Sequence, residues 1–169
     1  MKIGVVSDTH DNIVAIQAAV ALLRHRGVEL LIHCGDLESA DTAAYFRDIV
    51  THFVQGNCDD PLPILKPSVE SHGGVLHGSV GFLDLSGTRI AWTHGHEVSC
   101  LRQLETSGAY DFVFHGHTHE AGQFQKGATW VINPGALYRA PRYTCVVLDV
   151  RSGTLEFVEI TKGAGSRGR

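Results

Sequence analysis

The first 55 residues alternate short apolar runs with segments of helical periodicity, and this alternation constrains the fold more than any other feature of the chain. The three apolar runs are typical of buried strands, and the segments between them space their apolar residues like one face of a helix. A β-α-β-α-β order favours a parallel sheet with right-handed crossovers. The predicted strands are Lys2–Ser7, Glu29–Cys34 and Val50–Gln55, and the predicted helices run from Ile13 to a stop near Gly27 and over Ser39–Ile49.

The rest of the chain is richer in predicted strands than in helices. Pro61 and Pro63 predict a loop, or at most one helical turn, over Asp60–Lys66. The Gly-rich stretch Pro67–Gly81 fits either a short strand or a cap over a site. Two sheets packed face to face, largely antiparallel in this half and with helices outside, would bury the apolar runs. The remaining elements are hairpins at Phe82–Leu85 with Thr88–Thr93 and Arg142–Val150 with Thr154–Ile160, strands at Tyr110–His115, Gln123–Lys126 and Thr129–Ile132, and a helix at Glu97–Ser107.

Composition limits the class of protein. The chain has 169 residues, 43% hydrophobic and 19% charged, which predicts one globular domain over residues 1–161 and a flexible Gly-rich tail over 162–169. A net charge of −4 gives no broad basic surface for long nucleic acid. The sequence shows no signal-peptide pattern and no apolar stretch that would span a membrane. Four scattered cysteines without CxxC spacing fit a reducing compartment, so a cytoplasmic location is expected.

Potential metal ligands follow five of the predicted strands directly. Side chains placed beyond the carboxyl ends of strands in an α/β sheet meet in one crevice. Asp-x-His and His-x-His place two side chains on the same face of an extended segment, which is the spacing that a chelating pair needs. The sequence therefore predicts one metal site, built from Asp8, His10, Asp36, Asn57, His94, His117 and His119.

The types of ligand indicate the chemistry. Carboxylates, an amide and imidazoles without a thiolate suit Mn, Fe, Zn, Ni or Co. Two divalent ions would carry a charge of about +4, of which Asp8 and Asp36 would cancel about half. The remaining positive charge would attract a phosphate group.

Several of these residues have simpler explanations. Asp8 could be a helix N-cap and Asn57 a turn residue. His94 and His96 compete for one ligand position. Other histidines fit less well as ligands: His33 and His115 fit the core or the surroundings of the ligands, and His72 and His77 reach the site only if Pro67–Gly81 folds over it.

The motifs resemble those of the calcineurin-like metallophosphoesterase superfamily, and most closely its small YfcE-type phosphodiesterases. The resemblance runs from Met1 to about Val150 and implies a four-layer α/β/β/α sandwich with two facing mixed sheets. The motifs that carry it are Asp8-x-His10, Gly35-Asp36, Gly56-Asn57, His94-Gly95-His96 and Gly116-His117-Thr118-His119, followed by a turn at Asn133-Pro134-Gly135.

The resemblance also implies roles for these residues. One metal would be held by Asp8, His10, Asp36 and His119, and a second by Asp36, Asn57, His94 and His117. A hydroxide bridging the two ions would attack phosphorus in line, without a phosphoenzyme. The implied catalytic residues are Asp36, Asn57, Cys58 and His96.

Cys58 departs from the pattern of many family members, which carry histidine at this position. A neutral thiol is a poor general acid near pH 7, so we expect a preference for substrates with good leaving groups. His96 is a candidate substitute proton donor. A Cys58→His variant should gain activity on poor leaving groups.

The sequence thus predicts a two-metal phosphoesterase that acts as a phosphodiesterase, with Mn as the favoured ion and Ni, Zn, Fe, Co or Mg as alternatives. The predicted partner is a small phosphoester, with no long nucleic acid and no membrane, and a homo-oligomer is left open. The alternative is a protein-binding scaffold on the same fold. All seven predicted ligand positions carry competent donors, which favours the enzyme.

Overall fold

The computed structural model describes residues 1–161, so the predicted tail at 162–169 lies outside the described residues. The chain contains three α-helices, one 3₁₀ helix and eleven strands over that range. The helices are α1 (Ile13–His25), the 3₁₀ helix (Ala40–Phe46), α2 (Leu62–Ser71) and α3 (Val98–Thr106). The strands are β1 (Lys2–Val6), β2 (Leu30–His33), β3 (Val50–Phe53), β4 (Val75–Leu76), β5 (Val80–Leu85), β6 (Thr88–Thr93), β7 (Phe112–Phe114), β8 (Gly122–Lys126), β9 (Thr129–Asn133), β10 (Tyr143–Asp149) and β11 (Thr154–Ile160).

The first sheet has six strands in the order β11-β10-β1-β2-β3-β4. The neighbours from β1 to β4 pair in parallel. The β-α-β-α-β pattern predicts this for β1, β2 and β3, and β4 is a short strand within the stretch for which the sequence left a strand or a cap open. Strands β10 and β11 form the predicted terminal hairpin and add to β1 in antiparallel fashion. This half of the fold was therefore readable from the hydrophobic pattern.

The second sheet has five strands in the order β5-β6-β7-β9-β8. Its outer pairs are antiparallel hairpins, as predicted. Its central pairs, β6 with β7 and β7 with β9, are parallel. The expectation of a largely antiparallel second half is wrong at this centre, because the segments that follow β6 and β7 cross back before the next strand of the sheet begins.

Three apolar clusters separate four layers and confirm the predicted sandwich. One cluster packs α1, α2 and the 3₁₀ helix against the first sheet, with Ile16, Phe46 and Val69 among its buried members. A second lies between the two sheets and includes the fully buried Trp92. A third packs Leu104 of α3 against the second sheet. The two sheets thus face each other, with helices on both outer surfaces.

Two segments differ from the sequence prediction. Ser39–Ile49 contains a 3₁₀ helix rather than a full α-helix, and its start is held by outside carboxylates: Asp11 accepts from the Ser39 backbone N–H at 3.2 Å, and Asp60 accepts from the Ala40 N–H at 2.9 Å. These bonds fix the first turn from outside the segment.

The proline-rich segment forms helix α2, so the prediction of a loop there is wrong. Pro61 precedes the helix and Pro63 lies in its first turn, where a backbone N–H has no partner within the helix. Pro67 removes one internal hydrogen bond, and the burial of Leu65 and Val69 offsets this loss.

The segment 67–81 does not fold over the predicted ligands. The Ser68 hydroxyl of α2 donates to the Ala40 carbonyl at 2.7 Å, so α2 packs on the 3₁₀ helix. The ring nitrogens of His72 and His77 bond instead to the Ser68 carbonyl, at 2.9 Å, and to His52 Nδ1, at 2.8 Å. Neither histidine reaches the site.

Candidate metal centre

The seven predicted ligands all lie in loops that begin at strand ends. They follow β1, β2, β3, β6 and β7, and the sandwich brings these ends together. Five of the seven have positive φ angles, between 41° and 69°, which non-glycine residues adopt rarely. Backbone strain of this kind gathers at functional sites, where the surrounding structure holds it in place. The five residues are Asp8, His10, Asp36, His117 and His119.

Asp8 is the centre of one group of donors. Its Oδ1 lies 3.3 Å from His119 Nε2, and the ring of His10 lies 5.4 Å from the ring of His119. One donor atom from each of these three residues lies within 4.8 Å of the others. The Asp8 carboxylate is fully buried and accepts the backbone N–H of His117. Burial raises the pKa of Asp8, and the nearby charges of His94 and His119 offset this effect only in part.

His94 is the centre of a second group. Its Nδ1 lies 2.9 Å from the Cys34 carbonyl oxygen, which fixes the ring, while its Nε2 faces Asn57 Oδ1 at 3.1 Å and Asp36 Oδ2 at 3.3 Å. The ring of His117 lies 5.1 Å away. Burial by itself would lower the pKa of His94, but the hydrogen bond and the charge of Asp36 raise it overall.

Asp36 lies between the two groups. Its Oδ2 is 3.5 Å from His10 Nε2 and 3.3 Å from His94 Nε2, and its Oδ1 accepts the Cys58 N–H at 2.9 Å. Burial alone would raise the pKa of Asp36, but the bonds from His94 and Cys58 lower it overall. This carboxylate therefore stays ionised and is shared by both sets of histidines.

A buried atom without a partner tests whether a cation fits. His10 Nε2 is buried and makes no hydrogen bond, while His10 Nδ1 is bonded to Glu38 Oε2 at 3.2 Å. A metal-binding histidine is oriented in this way, with one nitrogen held by a carboxylate and the other aimed at the ion. An unpaired buried nitrogen costs free energy unless something binds it. The donor set therefore fits a divalent ion at this point.

Two residues outside the predicted ligand set brace the loops, and one of them, Asn133, belongs to the predicted turn. Asp59 accepts three backbone N–H groups, from Gly56 at 2.6 Å, Glu38 at 2.7 Å and Asp36 at 3.1 Å. Asn133 donates through Nδ2 to the Gly116 carbonyl at 3.1 Å. Asp59 thus ties the second and third ligand loops together, and Asn133 holds the fifth. Nothing in the sequence distinguishes an Asp such as Asp59, which accepts backbone N–H groups from neighbouring loops, from an Asp that binds a metal.

His33 is a buried support, as one of the sequence alternatives proposed. Its Nδ1 accepts the Gly35 N–H at 3.2 Å, and its Nε2 lies 3.0 Å from Thr9 Oγ1. These bonds connect the loops that follow β1 and β2. Complete burial lowers the pKa of His33 to about 3, so the ring is neutral at pH 7. His115 belongs to none of the donor groups among residues 1–161, and its Nδ1 lies 3.2 Å from the Gly116 carbonyl oxygen.

Two glycines are required by close approach. A Cβ at Gly56 would overlap the backbone nitrogen and the carboxylate of Asp36, and a Cβ at Gly116 would overlap Ser7 Oγ and approach Asp8 Oδ2 at 2.5 Å. Any larger side chain would therefore push apart the loops that carry the two carboxylates.

The donors open into a pocket of about 420 Å³, whose lining includes Cys58, Tyr138 and Arg139. Partial desolvation of the sulfur and the charge of Asp36 raise the pKa of Cys58 to about 11, so its thiol is protonated at pH 7. His96 is absent from the lining in the described chain, although its ring lies 5.3 Å from that of His94. A larger cavity of about 700 Å³ lies between α1 and the 3₁₀ helix but contains no histidine, so the donor set identifies the site better than volume does.

Comparison with known proteins gives the class that this fold and site define. The chain belongs to the calcineurin-like phosphoesterase superfamily, whose model matches residues 1–153, and thus to a class of metal-dependent phosphoric ester hydrolases. This confirms the resemblance, the fold class and the enzyme class predicted from the sequence.

The relatives agree with this class. A phosphodiesterase of Methanocaldococcus jannaschii is 33% identical over 139 residues, which cover 80% of this chain and 83% of that protein. The solved structure of an archaeal phosphodiesterase is 30% identical and matches with a TM-score of 0.87, covering 94% of this chain and 99% of that one. The Escherichia coli phosphoesterase Yfce, at 20% identity, shares the fold with a TM-score of 0.68 over 95% of this chain and all of its own. Within residues 1–161, we find no helix with the length and apolar character of a membrane span.

Proposed function

We propose that this chain hydrolyses small phosphodiesters at a centre of two divalent metal ions. The observation that carries the proposal is the position of Asp36, whose Oδ2 faces both His10 Nε2 and His94 Nε2 within 3.5 Å. A carboxylate placed between two sets of histidines suits a ligand shared by two ions. Phosphodiesterase relatives at 30% and 33% identity support the diester as the substrate class.

The contacts support one division of the donors between the two ions. Asp8, His10 and His119 gather on one side of Asp36, and Asn57, His94 and His117 on the other. Two bound metal ions would supply a nucleophile at neutral pH and stabilise negative charge on the phosphate oxygens. We favour Mn, because carboxylate, amide and imidazole donors suit it, with Ni, Zn, Fe, Co or Mg as alternatives.

The residues of the chain orient the donors and shape the reaction space. Glu38 fixes the ring of His10, and the Cys34 carbonyl fixes that of His94. In the reaction, a water oxygen forms a bond to phosphorus as the ester P–O bond opposite it breaks, and the departing oxygen takes a proton. The products are a phosphomonoester and an alcohol.

Proton delivery to the departing oxygen is the weak part of this site. Cys58 lines the pocket with a thiol whose pKa is raised to about 11, so it is a poor acid at pH 7. His96 stays a candidate donor, with its Nδ1 buried and unbonded. We therefore propose a preference for esters with good leaving groups.

The alternative function is a protein-binding scaffold. The presence of a side chain that can bind a metal at each of the seven predicted ligand positions weighs against it. We also propose that the enzyme works in the cytoplasm as a single domain over residues 1–161, on the basis of its scattered cysteines and continuous pattern of elements.

The test is a hydrolysis screen on metal-stripped protein. Bis(p-nitrophenyl) phosphate, p-nitrophenyl phosphate and nucleotides are offered with Mn, Ni, Zn or Mg added singly. The proposal expects metal-dependent turnover, fastest on the diester, and about two ions per chain by elemental analysis.

The matched variants are Asp36→Asn, which removes the shared carboxylate, and Asp84→Asn, which changes a carboxylate in the hairpin of β5 and β6. Asp36→Asn should lose at least one bound ion and lower kcat roughly a hundredfold or more. Turnover by the Asp36→Asn variant at the wild-type rate would refute the shared ligand. The absence of turnover with every ion would move the assignment to the scaffold.

A further inference from the structure

The outer wall of the metal pocket is formed by Tyr138 and Arg139, which the proposed reaction does not use. Both follow Leu137, whose side chain is buried. The N–H of Leu137 donates to the Asp8 carbonyl at 3.2 Å, and its carbonyl accepts from Asn12 Nδ2 at 2.7 Å. The wall is therefore tied to the loop that carries the first ligands.

Tyr138 lies between His10 and Arg139. Its ring centroid is 5.0 Å from that of His10 and 5.0 Å from the guanidinium carbon of Arg139. An arginine at this distance over a tyrosine ring is held by a cation–π interaction. The backbone of Arg139 has a φ of 43°, a conformation that costs free energy in a non-glycine residue. Tyr138 thus contacts both a predicted metal ligand and the guanidinium, and Arg139 is exposed whereas Asp8 and Asp36 are buried.

The charge of Arg139 has no carboxylate partner within residues 1–161. Arg24, Arg26 and Arg89 each form an ion pair of 2.7–3.1 Å, whereas Arg139 forms none with a described residue. It is also the one lysine or arginine among the pocket-lining residues of the described chain. A guanidinium offers five N–H donors in a planar fork that matches carboxylate and phosphate oxygens.

We propose that Arg139, positioned by Tyr138, binds a second anionic group of the substrate, beyond the phosphate that reacts. The substrate class is then a phosphodiester that carries a further phosphate or carboxylate on the part of the molecule that does not leave. This inference rests on the proposed phosphodiesterase activity and narrows its substrates. Arg139 is exposed and lies over Tyr138 in the pocket lining, whereas the reacting phosphate would bind at the buried donors. Its guanidinium forms no hydrogen bond or ion pair within residues 1–161, which favours an anion there.

The experiment compares substrates that differ only in the second anion. The first pair is the p-nitrophenyl ester of thymidine 5′-phosphate, with and without a 3′-phosphate. The second pair is p-nitrophenyl butyl phosphate and p-nitrophenyl 3-carboxypropyl phosphate. The pairs share their leaving groups and separate a phosphate from a carboxylate as the recognised anion.

The variants are Arg139→Gln, Arg139→Lys and Tyr138→Leu, with Arg151→Ala as the control, since it removes the same charge from the turn between β10 and β11. In one of the two pairs, wild type should have a lower KM for the doubly anionic substrate than for its singly anionic partner. Arg139→Gln should raise that KM roughly 10- to 100-fold and abolish the preference, with a much smaller effect on the partner substrate. Arg139→Lys should recover part of the loss, and Tyr138→Leu should cause a part of it.

Two results would overturn the inference: a wild type indifferent to the second anion, or an Arg139→Gln variant that loses both members of a pair equally. The second result would mean that Arg139 contacts the reacting phosphate or supports the fold. A wild type inactive on all four substrates would instead refute the phosphodiesterase function. In that case, calorimetry measures the binding of thymidine 3′,5′-bisphosphate and of thymidine 5′-monophosphate to wild type and to Arg139→Gln. If the two compounds bind with equal affinity in both proteins, the inference is overturned.

Discussion

The buried ring of His33 should make the stability of the metal-free protein depend on pH. Its pKa is lowered from 6.5 to about 3, because the ring is fully buried and an imidazolium there would lose its hydration. The ring also packs between Phe46 and Phe53, at centroid distances of 5.4 Å and 5.3 Å. Protonation is therefore possible mainly after unfolding.

The sign follows from the two pKa values. Since the folded-state value lies below that of the unfolded chain, the unfolded chain binds the proton first as pH falls. The stabilisation is complete above pH 6.5 and is lost progressively as pH falls towards 3. At pH 5.0, which is 1.5 units below the unfolded value, the loss is about 2 kcal/mol relative to pH 7.5.

The assay is urea unfolding at pH 7.5, 6.5, 5.5 and 5.0 in a chelating buffer, which removes the pH dependence of metal binding. His33→Asn removes the titrating ring, and His25→Asn removes an exposed histidine at the end of α1 as the matched control. Wild type and His25→Asn should lose about 2 kcal/mol more than His33→Asn over this range. Parallel pH curves for wild type and His33→Asn would refute the reasoning.

Three further perturbations test the site. Gly116→Ala forces a methyl group into occupied space and should destabilise the protein by about 1–3 kcal/mol in thermal or urea unfolding, whereas Gly122→Ala, which meets no atom within 4 Å, should change stability by less than about 0.5 kcal/mol. Glu38→Ala removes the carboxylate that bonds His10 Nδ1 and should weaken metal affinity roughly 10- to 100-fold by competition with a chelator; unchanged affinity would contradict its orienting role. Cys58→His should raise kcat on esters with poor leaving groups more than on p-nitrophenyl esters, and an equal effect on both would remove the thiol from the explanation.

The sequence predicted those parts of the fold that depend on local pattern. The apolar runs that became β1, β2 and β3 and the helical spacing of α1 are each readable within about a dozen residues. The hairpins of β5 with β6 and of β10 with β11 are marked by short Ser-Gly turns. Helix α2 was missed because three prolines outweigh the local helical signal, while its stability comes from the contacts of Leu65 and Val69 with the rest of the chain.

The sequence predicts the candidate donors because each follows a strand end closely. These ends belong to two sheets, β1, β2 and β3 to the first and β6 and β7 to the second, so only the packing of the sheets brings them together. Their supports were less evident. Asp59 accepts N–H groups from residues up to 23 positions away, and Arg139 reaches the pocket through a loop more than 100 residues after His10. No periodicity in the chain records such contacts.

The sequence by itself determined which side chains carry donor atoms that suit a metal and at which strand ends they lie, because both follow from residue type and local periodicity. Tertiary structure alone decided the parallel centre of the second sheet, the direction in which each histidine nitrogen points, and the position of the Arg139 guanidinium on the pocket wall. These depend on packing between segments distant in sequence, where the free energy of burial and of hydrogen bonding is shared among several elements at once.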